Sequence, residues 1–129
     1  MKILIVDDQP AIRTLLERAL TRHGFTAVPA ATLGDAIATA RGGDFQAVVL
    51  DLVLGDRSGM DFLVWLRADA RHAAVPVLVF TGAPLAPDDD ELIHRGHACV
   101  LHKPAHVCDM IRTLERLVTA SADLPPARS

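Results

Sequence analysis

Four apolar runs in this chain each stop at a residue equipped for chemistry. Ile3-Leu4-Ile5-Val6 stops at Asp7-Asp8, and Ala47-Val48-Val49-Leu50 stops at Asp51. Val75 to Phe80 stops at Thr81, and Cys99-Val100-Leu101-His102 stops at Lys103. If these runs are parallel strands of one sheet, the charges gather along a single edge of it. Carboxylates crowded together repel, which invites a divalent cation, and a lysine beside them can hold an anionic ligand.

Between the runs the apolar residues follow helical spacing. Pro10 suits the first turn of a helix, Ile12, Leu15, Leu16, Ala19 and Leu20 follow, and Gly24 marks the stop. A short strand is expected over 25–29. Thr32 with Asp35 is a capping signal for a helix that ends at Gly42-Gly43. The strand over 46–50 is apolar on both faces, as a central parallel strand requires. Ser58 with Asp61 marks a cap for a third helix carrying Phe62, Leu63, Leu66 and Arg67. A strand over 75–80 led by Pro76, a short polar helix over 87–96, a strand over 98–101 and a helix over 105–120 follow. Val107, Ile111, Leu114, Leu117 and Val118 share one side of that last helix. Repeated βα units with short connections describe a doubly wound α/β sheet. Such sheets bind ligands beyond the carboxyl ends of their strands, at the topological switch point. Asp7, Asp8, Asp51, Thr81 and Lys103 all fall there.

Composition narrows the function classes. The 129 residues suit one compact domain, and 50% are hydrophobic, enough for a full core without disulfides. We read 1–120 as the domain and 121–129, with Pro125-Pro126, as a tail or the start of a linker. The net charge of −3 comes with no basic block, which argues against direct nucleic-acid contact. No run approaches the roughly 18 apolar residues of a membrane span, and the N-terminal stretch is too short for a signal peptide. Cys99 and Cys108 lack metal or disulfide spacing, so reduced thiols in a cytoplasmic protein are expected. His94, His97, His102 and His106 lie near those cysteines in sequence, but without paired ligand spacing they read as scattered surface histidines rather than a zinc site.

Each candidate also has a bland reading. Asp7-Asp8 can be a helix cap favoured by the helix dipole. Asp51 alone can be a turn residue, Lys103 a solvated lysine and Thr81 a strand-end hydroxyl. Their joint placement, all at strand ends, favours the site.

Residues 1–118 resemble a response-regulator receiver domain of two-component signalling. The matching pieces are Asp7-Asp8, Asp51, Thr81-Gly82 and Lys103-Pro104 after successive strands, with Gly59 in the loop beyond Asp51. One piece is weak evidence; the ordered set is specific. The resemblance implies a flavodoxin-like (βα)5 sheet of strand order 2-1-3-4-5. It implies that Asp51 is the nucleophile, forming an acyl phosphate with a phosphoryl group from a sensor histidine kinase or phosphotransfer protein. It also implies Mg2+, with Mn2+ as a substitute, bound by Asp8, Asp51 and the backbone carbonyl of Val53, with Asp7 acting through water. Lys103 would pair with one phosphoryl oxygen and the Thr81 hydroxyl with another. Further implications are a downstream effector or a missing output domain, no membrane, a homodimer through the face of helix 4, strand 5 and helix 5, and no enzyme activity beyond the domain's own phosphorylation and dephosphorylation.

Several positions depart from the family pattern. Gly55 stands where a proline is usual, and glycine makes that loop more permissive. Val53 and Ala83 put small apolar groups beside the path of attacking water, so altered, slow dephosphorylation is expected. Val100 replaces the usual aromatic, which leaves output to the Thr81 loop, Pro84–Pro87 and the fourth helix. Rival readings stay open at this stage. A haloacid-dehalogenase-type phosphatase also uses an aspartate and Mg2+, but Asp51-Leu52-Val53 lacks its second aspartate. A phosphorylation-independent binding module of the same fold is kept alive by Val100 and Gly55. A flavin-binding protein is weaker, because no phosphate-binding loop follows the first strand.

Overall fold

The computed structural model describes residues 1–82, 84–95, 98–103 and 106–123, with side chains through Thr119. Apolar alternation builds its two-faced core. In β1 (Lys2–Val6), Leu4 and Val6 turn to one face, and Ile3 and Ile5 to the other. The same division splits β3 (Ala47–Leu50), where Val48 and Leu50 oppose Ala47 and Val49. A strand covered on both faces has no room for a polar residue, and Ile3 to Val6 have no exposed surface at all. Helices α1 (Pro10–Arg22) and α5 (Val107–Asp123) cover one face through Leu16, Leu20, Met110, Ile111, Leu114 and Val118. Helices α2 (Leu33–Arg41), α3 (Gly59–Ala68) and α4 (Pro87–Arg95) cover the other, with Ala36, Phe62, Leu63, Leu66 and Ile93.

β2 (Thr26–Ala30), β6 (Val77–Thr81) and β7 (Cys99–His102) complete a parallel sheet of order β2-β1-β3-β6-β7. A two-stranded hairpin, β4 (Val53–Leu54) with β5 (Arg57–Ser58), lies between β3 and α3. Once it is set aside, the order is the expected 2-1-3-4-5 flavodoxin-like arrangement. Pro29 sits inside β2, paired with Ile5. Proline cannot donate to a ladder and is tolerated because β2 is an edge strand. Among the described residues, no helix is long and apolar enough to cross a membrane.

The local signals work as expected, with shifts that have physical causes. Pro10 opens α1, and Gly24 takes a positive φ of 84° just past its end. Thr32 caps α2 by accepting from the Asp35 amide at 3.0 Å. Ser58 caps α3, but its hydroxyl accepts from the Met60 amide at 3.1 Å rather than from Asp61. β2 starts at Thr26 because the Phe25 amide is taken by the carbonyl of Leu20 at the end of α1. β7 starts at Cys99 because the Ala98 amide closes onto Ile93 of α4. Pro76 has no N–H, so β6 begins at Val77, although the Pro76 carbonyl still accepts from Val48. The last helix begins at Val107 instead of 105, with the His106 carbonyl accepting from Asp109 and Met110. It continues to Asp123, past the expected helix end at 120, because no helix breaker precedes Pro125. Residues 124–129, with Pro125-Pro126, lie outside the described residues.

At the opposite end of the sheet from the acidic residues, a polar seam ties the α2–β3 and α3–β6 connections together. Arg71 Nε donates to Asp44 at 2.7 Å and its Nη1 to the carbonyl of Arg41 at 3.1 Å. The buried ring of His72 lies 3.1 Å from the carbonyl of Gly43 and packs against Trp65. Trp65 stacks on Phe62, with the Arg41 guanidinium 5.9 Å above its ring, so it is half-buried packing as expected.

Among the described glycines, the tightest backbone approach is at Gly59, the first residue of α3. A Cβ there would stand 2.1 Å from the carbonyl oxygen of Asp51 and 2.9 Å from Leu52 Cα. Its own amide donates to the Leu52 carbonyl at 2.8 Å. The loop after Asp51 therefore folds against bare backbone, and the glycine is required for lack of a side chain, not for its φ. Gly59→Ala should lower unfolding free energy by roughly 3 kcal/mol or more, since a backbone neighbour cannot step aside. Urea denaturation checks this; a loss under about 1 kcal/mol would contradict the packing.

Candidate functional site

Parallel pairing sets the site. β1, β3, β6 and β7 run side by side, so their carboxyl ends share one edge, and the next residues of the chain are Asp7, Asp51, Gly82 and Lys103. Thr81 is itself the last residue of β6. The Asp7 amide donates to Ala30, and the Asp51 amide to Val6, extending the ladder one residue past each strand. Both aspartates are therefore fixed by sheet hydrogen bonds, and both are buried.

The side chains converge as the sequence anticipates. One oxygen each from Asp7, Asp8 and Asp51 lies within 4.8 Å of the others, the one such group among the described residues. His97 lies outside the described residues, and the remaining histidines and cysteines near it form no comparable cluster. Lys103 Nζ is 3.1 Å from Asp7 Oδ2 and 3.2 Å from Asp51 Oδ2, so one ammonium spans two carboxylates. It also lies 5.3 Å from the centre of the Phe80 ring. Thr81 Oγ1 donates to Asp51 Oδ1 at 3.0 Å, and the Val53 amide donates to that same oxygen at 3.2 Å. The Lys103 amide closes on the Thr81 carbonyl at 2.8 Å, which keeps the β6 and β7 loops in register.

Two contacts had no warning in the sequence. The Arg13 guanidinium reaches back from α1 to the Asp7 carbonyl at 2.8 Å. The Gly55 amide, at the turn of the hairpin, donates to Asp8 Oδ2 at 2.9 Å. Such contacts between separate elements leave no local pattern. Val53 is 48% exposed beside Asp51. Ala83 and Pro104 lie outside the described residues. Val100 is half-buried, pairs with Val79 and packs on the α2–α3–α4 side of the sheet.

Burial raises the Asp7 carboxyl above its ordinary value of 3.8. The Gln9 amide and the Lys103 ammonium oppose this, while neighbouring Asp51 adds to it. The folded chain thus holds the Asp7 proton more firmly than the unfolded chain does. Below about pH 3.8 both states keep the proton; as pH rises, the unfolded chain ionises first and folding loses free energy until native Asp7 ionises too.

The sequence profile of the family described as "Response regulator receiver domain" matches residues 3–115, and the chain belongs to that family. This is a signalling module of two-component systems rather than a classical enzyme. The chain is 33% identical over 117 residues to the transcriptional regulatory protein TcrA of Mycobacterium tuberculosis, covering 91% of this chain but 46% of TcrA. It therefore spans about half the length of that relative. Its fold matches the chemotaxis protein CheY4 of Vibrio cholerae with a TM-score of 0.81 at 26% identity, covering 90% of this chain and 97% of CheY4. It matches the receiver domain of the sensor histidine kinase PA1611 from Pseudomonas aeruginosa with a TM-score of 0.80 at 25% identity, covering 92% and 97%. That structure has a magnesium ion coordinated in its active-site cleft.

Removing the Asp7 charge should relieve the acidic cluster. In chelator-containing buffer, Asp7→Asn should raise Tm by about 3 °C at neutral pH, with the gain vanishing below about pH 4. Calorimetry across pH checks this, and an unchanged or lowered neutral-pH Tm would contradict it.

Proposed function

We propose that this receiver domain accepts a phosphoryl group on Asp51 from the phosphohistidine of a sensor histidine kinase or phosphotransfer protein, with Mg2+ as cofactor, Mn2+ serving as a substitute. The observation that carries the reading is the convergence of three carboxylates with Lys103 and Thr81 around Asp51.

The donor set fits the metal. Mg2+ takes hard oxygen ligands and commonly uses one or two carboxylates plus waters and phosphate, and the cluster supplies only carboxylate oxygens. Asp8, Asp51 and the Val53 carbonyl would hold the ion directly, and Asp7 through water. Bound there, it would offset the repulsion between a carboxylate and an anionic phosphoryl group.

The chain's own residues supply the rest. An Asp51 carboxylate oxygen attacks phosphorus, the P–N bond to the donor imidazole breaks, and the imidazole leaves with that electron pair and takes a proton. Asp51 Oδ1 is oriented by two donors, Thr81 Oγ1 and the Val53 amide, so the nucleophile is held before its partner arrives. Lys103 Nζ is within reach of Asp51 Oδ2, where a phosphoryl oxygen would find a positive charge. The Thr81 hydroxyl is the second donor for that group, and moving toward it would draw the β6 loop inward. With no aromatic at Val100, the changed surface would be that loop and α4.

The module would work in the cytoplasm, passing its state to an effector protein or to an output domain. The face of α4, β7 and α5 is its surface for pairing with a second copy. The receiver unit runs through α5, and the residues beyond that helix serve as a tail or linker.

Incubation with a small phosphodonor and Mg2+ should add the mass of one phosphoryl group in a hydroxylamine-labile bond. The gain should vanish in Asp51→Ala and with chelator. A gain that persists in Asp51→Ala would sink the assignment. Once phosphorylated, the protein should lose phosphate slowly, because neither Val53 nor Ala83 can orient a water. Val53→Asn should speed phosphate release about tenfold, and an unchanged rate would refute that role for the position.

A further inference from the structure

We propose that the backbone amide of Gly55 is a positioning donor for Asp8, and that through it the 53–58 hairpin senses the state of the acidic cluster. The inference rests on the metal-assisted reading above and goes beyond it by naming a residue of this chain that tunes the ion's affinity.

The three carboxylates are held by different means. Asp7 and Asp51 share Lys103, and each also accepts a nearby backbone amide, from Gln9 and Val53 respectively. Asp8 is only partly buried, and its hydrogen bond comes from across the chain, from Gly55 at 2.9 Å. A carboxylate offers about four lone-pair sites, so one amide leaves capacity for a cation while fixing the group's orientation. Partners that orient a ligand in this way are commonly worth about tenfold or more in metal affinity.

The donor depends on this residue in two ways. Gly55 has a φ of 64°, a left-handed conformation open to glycine. Proline, with its ring-fixed negative φ and missing N–H, could neither adopt that turn nor donate to Asp8. A Cβ at residue 55 would meet nothing within 4 Å, so alanine fits the space, keeps the N–H and suffers only the strained φ. The hairpin carries the consequence onward. Leu54 pairs with Arg57 and Val53 with Ser58, and Ser58 caps α3. Leu54, Gly55 and Arg57 also form one wall of a groove of about 580 Å³, with Thr32, Leu33 and Ile37 opposite. Asp8, if it held an ion, would tug through the Gly55 amide on a turn that borders both α3 and this groove. By reciprocity, anything that stabilises the turn strengthens the ion's site.

The test compares Mn2+ affinity, measured by calorimetry, in the wild type, Gly55→Ala and Gly55→Pro. Amide hydrogen exchange at Gly55 is followed in the wild type and in Asp8→Ala. The proline variant should bind about tenfold more weakly than wild type, and the alanine variant, which keeps the N–H but strains the left-handed turn, should lose clearly less. The Gly55 amide should be protected in the metal-free wild type and should exchange about tenfold faster in Asp8→Ala. Equal affinity in the proline variant overturns the proposal, and so does a loss in the alanine variant as large as that in the proline variant. If Gly55→Pro does not fold, an amide that is unprotected, or indifferent to Asp8→Ala, overturns it independently. Wild-type protein that binds no Mn2+ or Mg2+ sinks the metal reading itself, and this inference with it. Wild type that binds while Gly55 proves irrelevant sinks this inference alone.

Discussion

The site depends on one ammonium group placed between two buried carboxylates. Asp7 and Asp51 are 2% and 6% exposed, and burying unpaired charges to that degree is costly. Lys103 Nζ touches both, which lets β1 and β3 end on acids rather than on apolar residues. The pairing leaves the cluster negative, because the ammonium pairs with two of its three carboxylates and Asp8 is left to the Gly55 amide. Burial raises the Asp7 carboxyl, and the neighbouring Asp51 charge adds a lesser push in the same direction. A pocket that is over-negative and partly desolvated is disposed toward a small cation, and stability is given up locally to keep it so.

The sheet holds such a pocket because it is rigid elsewhere. Both faces of β1, β3 and β6 are covered, and the ladder continues one residue past β1 and β3 to fix the acidic backbones. At the far end, the seam of Arg71, Asp44, His72 and Trp65 ties two connections together. The loop after Asp51 is pressed against Gly59, so Asp51 sits on backbone with little freedom to shift. The hairpin at Gly55 is held differently, by strands two residues long and by one acidic side chain that reaches across to it.

Much of this was legible in the residues because parallel strands convert sequence position into spatial position. An apolar run ending in a charge says where that charge will be, so Asp7, Asp8, Asp51, Thr81 and Lys103 could be placed at one edge before any coordinates. Capping residues were equally local signals, and Thr32 and Ser58 both cap. What could not be read was the wiring. Lys103 touching Asp7, or Gly55 touching Asp8, joins residues far apart in the chain, and no periodicity encodes such a bond. The hairpin was too short to show alternation. Strand starts moved by a residue at Phe25 and Ala98, where the end of a helix captured an amide that could have joined a ladder. His72 gave no hint of its burial, since its environment is assembled from separate segments.

Pro29 has a consequence beyond its tolerance in β2. The outermost strand on that flank lacks a donor in mid-run, so a foreign β-segment laid against it would meet a gap in its hydrogen bonding. The opposite border, at Cys99–His102, carries no proline. The two rims of the molecule are therefore chemically unequal, and accretion by backbone zippering is discouraged along β2 while the other rim stays receptive.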